Sequence, residues 1–126
     1  MAIHHRIFIA FAIEDKFARD NLVFQAKQNR TPFEFTDMSV KQPWDSAWKT
    51  NCRARIKGCD GVIALLSNNT RTADGARWEI QCALDERIPL LPVYIHDAGC
   101  TVPPELAGKK IYHWTWPNIS NFLDRL

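Results

Sequence analysis

Residues 61–95 read GVIALLSNNTRTADGARWEIQCALDERIPLLPVYI, and this stretch decides the fold. GVIALLS (61–67) is apolar or glycine up to its last residue, which is typical of a strand buried on both faces. Residues 75–87 follow with helical periodicity, and LLPVYI (90–95) predicts another strand. Pro92 must then lie where the sheet needs no backbone donor. A strand, a helix and a strand in this order indicate a parallel unit.

The segments on either side continue the same alternation. Before it, the sequence predicts a strand at RIFIAFAI (6–13), a helix at 15–28 and an edge strand at PFEFT (32–36). A loop at 37–45 precedes a helix that ends near Gly58, in which Trp48, Cys52 and Ile56 share the core face. KIYHW (110–114) predicts the last strand, and residues 118–126 a closing helix.

The expected fold is therefore α/β, with one domain over residues 1–126. We predict a three-layer, flavodoxin-like arrangement, in which a five-stranded parallel sheet of order 2-1-3-4-5 carries helices on both faces. No linker, repeat or low-complexity segment divides the chain.

Composition excludes several classes of function. The formal net charge is only +2 and the chain has no long basic run, so we expect it to bind neither nucleic acid nor a membrane surface. The four cysteines form no CxxC pair, so reduced thiols in a cytoplasmic protein are expected. His96, Asp97 and Cys100 are too few ligands in one loop for a metal site, and we expect none. Neither a dinucleotide-binding glycine motif nor a P-loop is present.

Ligands of such sheets bind outside the carboxyl ends of the strands. This rule places a cleft among the loops at 12–15, 37–45 and 67–74, and Asn69 lies in the last of these. Trp44 in the second loop could offer an aromatic platform. Glu79 lies on the helix that begins beside this cleft, and the positions four residues away, Gly75 and Ala83, supply no basic partner. Glu79 is then either a structural carboxylate or a functional one.

Three segments together resemble the Toll/interleukin-1 receptor (TIR) family. RIFIAFAIEDKFARDNL is similar to its first strand and helix, GVIALLSNNT to its central strand ending in serine, and WEIQCALDERIPLLPVYI to its helix and fourth strand. The WEI sequence after an NT loop resembles TIR-like proteins of bacterial Thoeris antiphage systems (the ThsB type). The resemblance covers roughly residues 6–95.

The resemblance implies an enzyme that cleaves nicotinamide from NAD⁺, which is its substrate, and needs no cofactor. Glu79 matches the catalytic glutamate, Phe11 and Ala12 match residues that line the nicotinamide side, and Asp37 matches an acidic residue that opens the 37–45 loop. The product would be ADP-ribose or a cyclic ADP-ribose, a signalling nucleotide that reaches a separate effector in antiviral defence. Self-association through TIR–TIR contacts is also implied.

The sequence departs from the TIR family pattern at two places, so functions other than NAD⁺ cleavage stay open. Many TIR enzymes carry a tryptophan four residues before the glutamate, but Gly75 stands there, and Trp78 precedes Glu79 directly. Neighbouring residues on a helix point about 100° apart, so Trp78 cannot share the direction of Glu79. The serine after the first strand is replaced by Ala10. A non-catalytic TIR-type assembly module, or a nucleotide-binding protein without turnover, would also fit the chain.

Overall fold

The computed structural model describes residues 5–31, 33–37 and 46–126. The described strands are β1 (His5–Ala10), β2 (Phe33–Thr36), β3 (Gly61–Leu66), β4 (Leu90–Tyr94) and β5 (Tyr112–His113). The α-helices are α1 (Lys16–Gln28), α2 (Ser46–Lys57), α3 (Asp74–Asp85) and α4 (Trp116–Asp124). Short 3-10 turns cover Ile13–Asp15, Thr70–Thr72 and Pro104–Leu106.

The described strands form one parallel sheet in the order β2-β1-β3-β4-β5, which confirms the predicted fold class and strand order. β1 and β3 are neighbours in space, with Ala10 opposite Ala64, although α1, β2 and α2 separate them in sequence. The strand order reverses at this pair, so it is the topological switch point of the sheet. The loops that follow β1 and β3 therefore meet at the same edge.

Alternate strand residues face opposite layers, as the pleat of a strand requires. Even-numbered residues such as Phe8, Val62 and Leu66 pack with Trp48, Cys52, Ile56 and Ile80 of α2 and α3. Odd-numbered residues pack with α1 and α4 in a second core. This second core comprises Ile7, Ile9, Phe11, Ala18, Leu22, Ile63, Leu65, Leu91, Val93, Ile119, Phe122 and Leu123. Both faces of the central strands are covered, which explains their continuous apolar sequences.

Pro92 occupies the place that its missing N–H requires. The N–H of Ile95 donates to the carbonyl of Leu66, so odd-numbered residues of β4 direct their amides toward β3. Pro92 therefore faces the side of β5, whose pairing with β4 starts one residue later, at Val93 and Tyr112. No ladder hydrogen bond is lost.

The element ends differ modestly from the predicted ones. The last strand shortens to Tyr112–His113, and α4 begins at Trp116 and not at residue 118. The hydroxyl of Thr115 accepts a hydrogen bond from the amide of Asn118 at 3.2 Å and caps the helix two residues early. Among the described residues, no helix is long and apolar enough to cross a membrane.

Candidate functional site

Four polar or charged side chains are buried in the described part of the molecule: Asp15, Ser67, Thr70 and Glu79. Asp15 follows β1, Ser67 ends the β3 segment, and Thr70 lies in the turn that leads to α3. The first three cluster at the carboxyl edge of the sheet, and Glu79 lies farther along α3. Burial of polar groups costs free energy unless they are hydrogen-bonded, so each position needs a physical reason.

Asp15 joins the loops that follow β1 and β3. Its Oδ2 accepts a hydrogen bond from the Ser67 hydroxyl at 2.5 Å, and its Oδ1 accepts one from the Asn69 side-chain amide at 3.0 Å. The Thr70 hydroxyl accepts from the amide of Ser67, and the Ser67 hydroxyl accepts from the amide of Asn69, both at 3.0 Å. The carboxylate of Asp15 thus joins the loops that follow β1 and β3, and it holds the side chain of Asn69, an exposed residue, at the carboxyl edge of the sheet.

Glu79 is the most enclosed carboxylate of the described structure, with no exposed surface. It is the sixth residue of α3, about 8 Å along the helix from its start at a rise of about 1.5 Å per residue. The thiol of Cys52 on α2 lies 4.0 Å from its Oε2 and is oriented to donate a weak hydrogen bond. The sequence placed the start of its helix beside a cleft, but Glu79 itself is buried and not open to that cleft.

Trp78 turns away from Glu79, as their spacing predicts. Its ring lies 5.4 Å from the ring of Trp48, and the guanidinium of Arg53 lies over it at 5.3 Å from the ring centroid. It lines an open groove of about 680 Å³ between α2 and α3, together with Lys49, Thr50, Arg53, Ala54 and Lys57. Glu79 does not line this groove, so the groove and the carboxylate are separate features.

Asp37 lies at the carboxyl end of β2 and is tied to two helices. Its carboxylate is 3.2 Å from Nε of Arg19 on α1, and its carbonyl accepts a hydrogen bond of 2.6 Å from Arg55 of α2. No described contact joins Asp37 to Glu79. Its binding role remains a prediction, and Trp44 lies outside the described residues.

Phe11 and Ala12 are both completely buried. Phe11 belongs to the core beneath α1 and α4, on the sheet face opposite the one that holds Glu79. The carbonyl of Ala12 accepts the amide of Asp15, so this segment supports the buried hydrogen-bond network. The structure therefore brings neither residue to an open surface, and their proposed contact with nicotinamide remains a prediction.

The thiols of Cys59 and Cys82 lie in environments that disfavour the thiolate. Burial raises the pKa of Cys59 to about 11, and its thiol donates to the carbonyl of Arg55. Burial also raises the pKa of Cys82, although nearby Arg53 opposes this shift. These cysteines are therefore protonated at neutral pH and are poor nucleophiles.

Sequence reasoning missed two features of this region. Asp15 and Ser67 each follow the end of a central strand, and the order 2-1-3-4-5 makes those strands neighbours, so their contact could have been inferred. The contact between Cys52 and Glu79 was harder to infer, because the sequence indicated only that Cys52 and Trp48 share the core face of their helix.

Solved structures with the same fold support the architecture. The TIR domain of the Toll-related receptor TRR-2 from Hydra magnipapillata is 18% identical and superposes with a TM-score of 0.65 over 94% of this chain and 91% of that one. A prokaryotic SEFIR domain is 11% identical, with a TM-score of 0.56 over 96% and 94% of the two chains. At these identities the likeness concerns the fold alone.

Sequence comparison identifies the family. Among curated proteins, none matches the sequence. A family model described as "Thoeris protein ThsB, TIR-like domain" matches residues 8–99, which include the second half of β1, the buried network at the switch point, all of α3 with Glu79, and β4. Because the match extends over most of the chain and the fold agrees with it, this chain belongs to the ThsB family of TIR-like domains.

Proposed function

We propose that this chain is a TIR-type NAD⁺ nucleosidase and cyclase that acts in the cytoplasm in bacterial antiphage defence. It cleaves nicotinamide from NAD⁺ and releases ADP-ribose or a cyclic ADP-ribose, which activates a separate effector. The observation that carries the proposal is a completely buried carboxylate, Glu79, on the helix after the central strand of a ThsB-family TIR domain.

Burial suits the chemistry required of Glu79. The bond between nicotinamide and the ribose carbon breaks, and its electron pair leaves with the nicotinamide nitrogen, so positive charge develops on the sugar. A carboxylate in a low-dielectric site stabilises that charge more than it would in water. Water then adds to the ribose carbon and loses a proton, or a nucleophile of the same molecule adds and closes a ring.

The enclosure of Glu79 has a consequence for substrate binding. Because the carboxylate has no exposed surface, NAD⁺ has to displace some of the residues around it, and the thiol of Cys52 lies 4.0 Å from its Oε2. The hydrogen-bonded loops at Asp15 lie at the switch point and keep the strand ends in place.

Release of nicotinamide from NAD⁺ by the purified protein tests the proposal directly. We expect wild-type protein to release nicotinamide and Glu79→Gln to release none, because the amide cannot stabilise the developing cation. Asp85→Asn is the matched control, since it makes the same chemical change at an exposed position of α3 and should retain activity. Mass spectrometry of the products distinguishes linear from cyclic ADP-ribose.

The proposal fails if concentrated wild-type protein, also in the presence of its phage trigger, releases no nicotinamide. It also fails if Glu79→Gln is as active as wild type. Circular dichroism and the melting temperature of each variant show whether the fold is retained.

A second candidate is a non-catalytic assembly module, and it is favoured by the complete burial of Glu79 together with the exposure of Phe17 and Phe24 on α1. In this case Glu79 would be a structural carboxylate. Self-association that survives Glu79→Gln, without any nucleotide product from wild type, would select this function.

A further inference from the structure

The groove between α2 and α3 presents a row of basic side chains. Its volume is about 680 Å³, and it is lined by Lys49, Thr50, Arg53, Ala54, Lys57 and Trp78. The three basic residues follow one another at intervals of four, so they lie on one face of α2. At a rise of about 1.5 Å per residue, neighbouring members of this row are about 6 Å apart along the helix axis. We call this surface the α2–α3 groove.

The positive charge of the α2–α3 groove is only partly balanced by the described residues. None of the residues that line it is acidic. Arg53 contacts Glu86 at 2.8 Å, but neither Lys49 nor Lys57 forms an ion pair with a described carboxylate. Both lysines are exposed, so two charges are available to an acidic ligand.

The basic row is unfavourable within α2 itself. Like charges four residues apart repel each other on a helix surface. The helix macrodipole favours Lys57 in the last turn of α2, but it opposes Lys49, which is the fourth residue of this helix. Carboxylates of a bound ligand would offset this repulsion, so the row suits a bound state better than the free protein.

The shape of the α2–α3 groove fits a helix. Thr50 and Ala54 form a second row at four-residue spacing beside the basic one, and their short side chains leave room for a third helix. Helices pack by inserting the ridge formed by one i±4 row into the groove between such rows on another helix. The half-buried ring of Trp78 supplies an apolar wall, and tryptophan is frequent among the residues that dominate binding energy.

The same features argue against nucleic acid as the ligand. Affinity for nucleic acid grows with the number of phosphates that are neutralised, and here one of only three cations already has a carboxylate partner. Arg53 also lies over the ring of Trp78, at 5.3 Å from its centroid, and so occupies a position where a base would stack.

A second copy of this chain does not supply the complementary helix. None of the described helices carries exposed Asp or Glu residues four positions apart. The acidic helix therefore has to come from a different protein.

We propose that the α2–α3 groove is a docking site for an acidic, amphipathic helix of another protein. The carboxylates of that helix, four residues apart, pair with the basic row, and an apolar side chain beside them contacts Trp78. Glu79 does not line the groove, so the docking site is independent of NAD⁺ cleavage.

Fluorescence polarisation with the full chain and a synthetic peptide tests the docking site. The probe is a fluorescein-labelled, alanine-rich helix with glutamates four residues apart and leucines on the adjoining face. A reference peptide has the same composition in scrambled order. We expect wild type to bind the probe about tenfold more tightly than the reference, because only the probe matches the spacing of the basic row.

Charge reversal of the two exposed lysines tests the pairing. Lys49→Glu combined with Lys57→Glu should weaken binding of the probe by about tenfold or more. Lys16→Glu combined with Lys27→Glu is the matched control, since it changes the net charge equally at exposed positions of α1 and should bind the probe like wild type. A peptide with lysines in place of the glutamates should bind the Lys49→Glu, Lys57→Glu protein more tightly than it binds wild type.

Filling the groove without a change of charge is a separate test. Ala54→Gln should also weaken binding of the probe, and the melting temperature shows that the fold is retained. The proposal is overturned if wild type does not bind the probe at up to about 1 mM, or if the scrambled peptide binds equally well. Equal effects of the α1 control, or tighter binding of single-stranded DNA with the same net charge as the probe, would also overturn it.

Discussion

At the scale of single residues, two buried carboxylates of this domain have different surroundings. Asp15 accepts hydrogen bonds from Ser67 and Asn69 and so joins the loops that follow β1 and β3, which is a structural role. Glu79 is enclosed on α3 beside the thiol of Cys52, and its catalytic role is a proposal. Burial alone does not separate a structural role from a catalytic one.

The hydrogen-bonded role of Asp15 predicts a stability effect. We expect Asp15→Ala to lower the free energy of unfolding by about 1–3 kcal/mol, because the buried hydroxyl of Ser67 loses its acceptor. Urea denaturation measures the change. Asp20→Ala, at an exposed site of α1, is the control and should stay within about 0.5 kcal/mol of wild type. Equal effects of the two substitutions would show that the network contributes little.

Residue positions were more predictable than residue environments. The motif located Glu79, and periodicity predicted the helix that carries it. The contact between Glu79 and Cys52, however, depends on how α2 packs on α3. Likewise, Asn69 was expected at the cleft and does lie at the carboxyl edge, yet its amide is engaged by Asp15. Contacts between distant segments are not encoded in local spacing.

At the scale of elements, α3 is attached to its neighbours by two ion pairs. Arg53 of α2 contacts Glu86 at 2.8 Å, just after the end of α3, and Arg77 of α3 contacts Glu105 at 3.0 Å. The second pair connects α3 to the turn at Pro104–Leu106. Partly exposed pairs of this kind contribute modestly to stability, on the order of 1 kcal/mol or less.

The pair between Arg77 and Glu105 predicts a pH dependence. Burial acts to raise the pKa of Glu105, but the hydrogen bond from Arg77, a backbone hydrogen bond and the charge of Arg77 together outweigh it and hold this pKa below its ordinary value of 4.5. A lowered pKa in the folded state stabilises the fold above the ordinary pKa, and this stability is lost as pH falls through the folded pKa. The pair should therefore contribute at neutral pH and fade below about pH 4.

A double-mutant cycle with Arg77→Gln, Glu105→Gln and the combined variant measures this contribution. We expect a coupling free energy of about 0.5–1 kcal/mol at pH 7, and a loss of this coupling as the pH falls through the pKa of Glu105 in the folded state. A coupling that does not change over this range would show that the pair acts through packing and not through charge.

At the scale of the whole molecule, a single sheet carries both cores, because the strands β1, β3 and β4 contribute side chains to each. Separate unfolding of either layer would expose the other face of the same strands. We therefore expect one cooperative transition on heating or in denaturant, with near- and far-UV circular dichroism coinciding. Two resolved transitions would contradict a single domain over residues 1–126.

The sequence by itself determined the parallel sheet, its strand order, the division of side chains between two layers and the position of Glu79 on α3. The elements and the layers follow from periodicity and motif spacing, which are local properties, and the strand order follows from the few arrangements that alternating strands and helices adopt. Only the tertiary structure decided that Asp15 is hydrogen-bonded to Ser67 and that Cys52 lies beside Glu79. It also decided which phenylalanines are exposed (Phe17 and Phe24) and which are buried (Phe8 and Phe11). Such outcomes depend on strand register and helix packing between residues far apart in the chain, which no local pattern specifies.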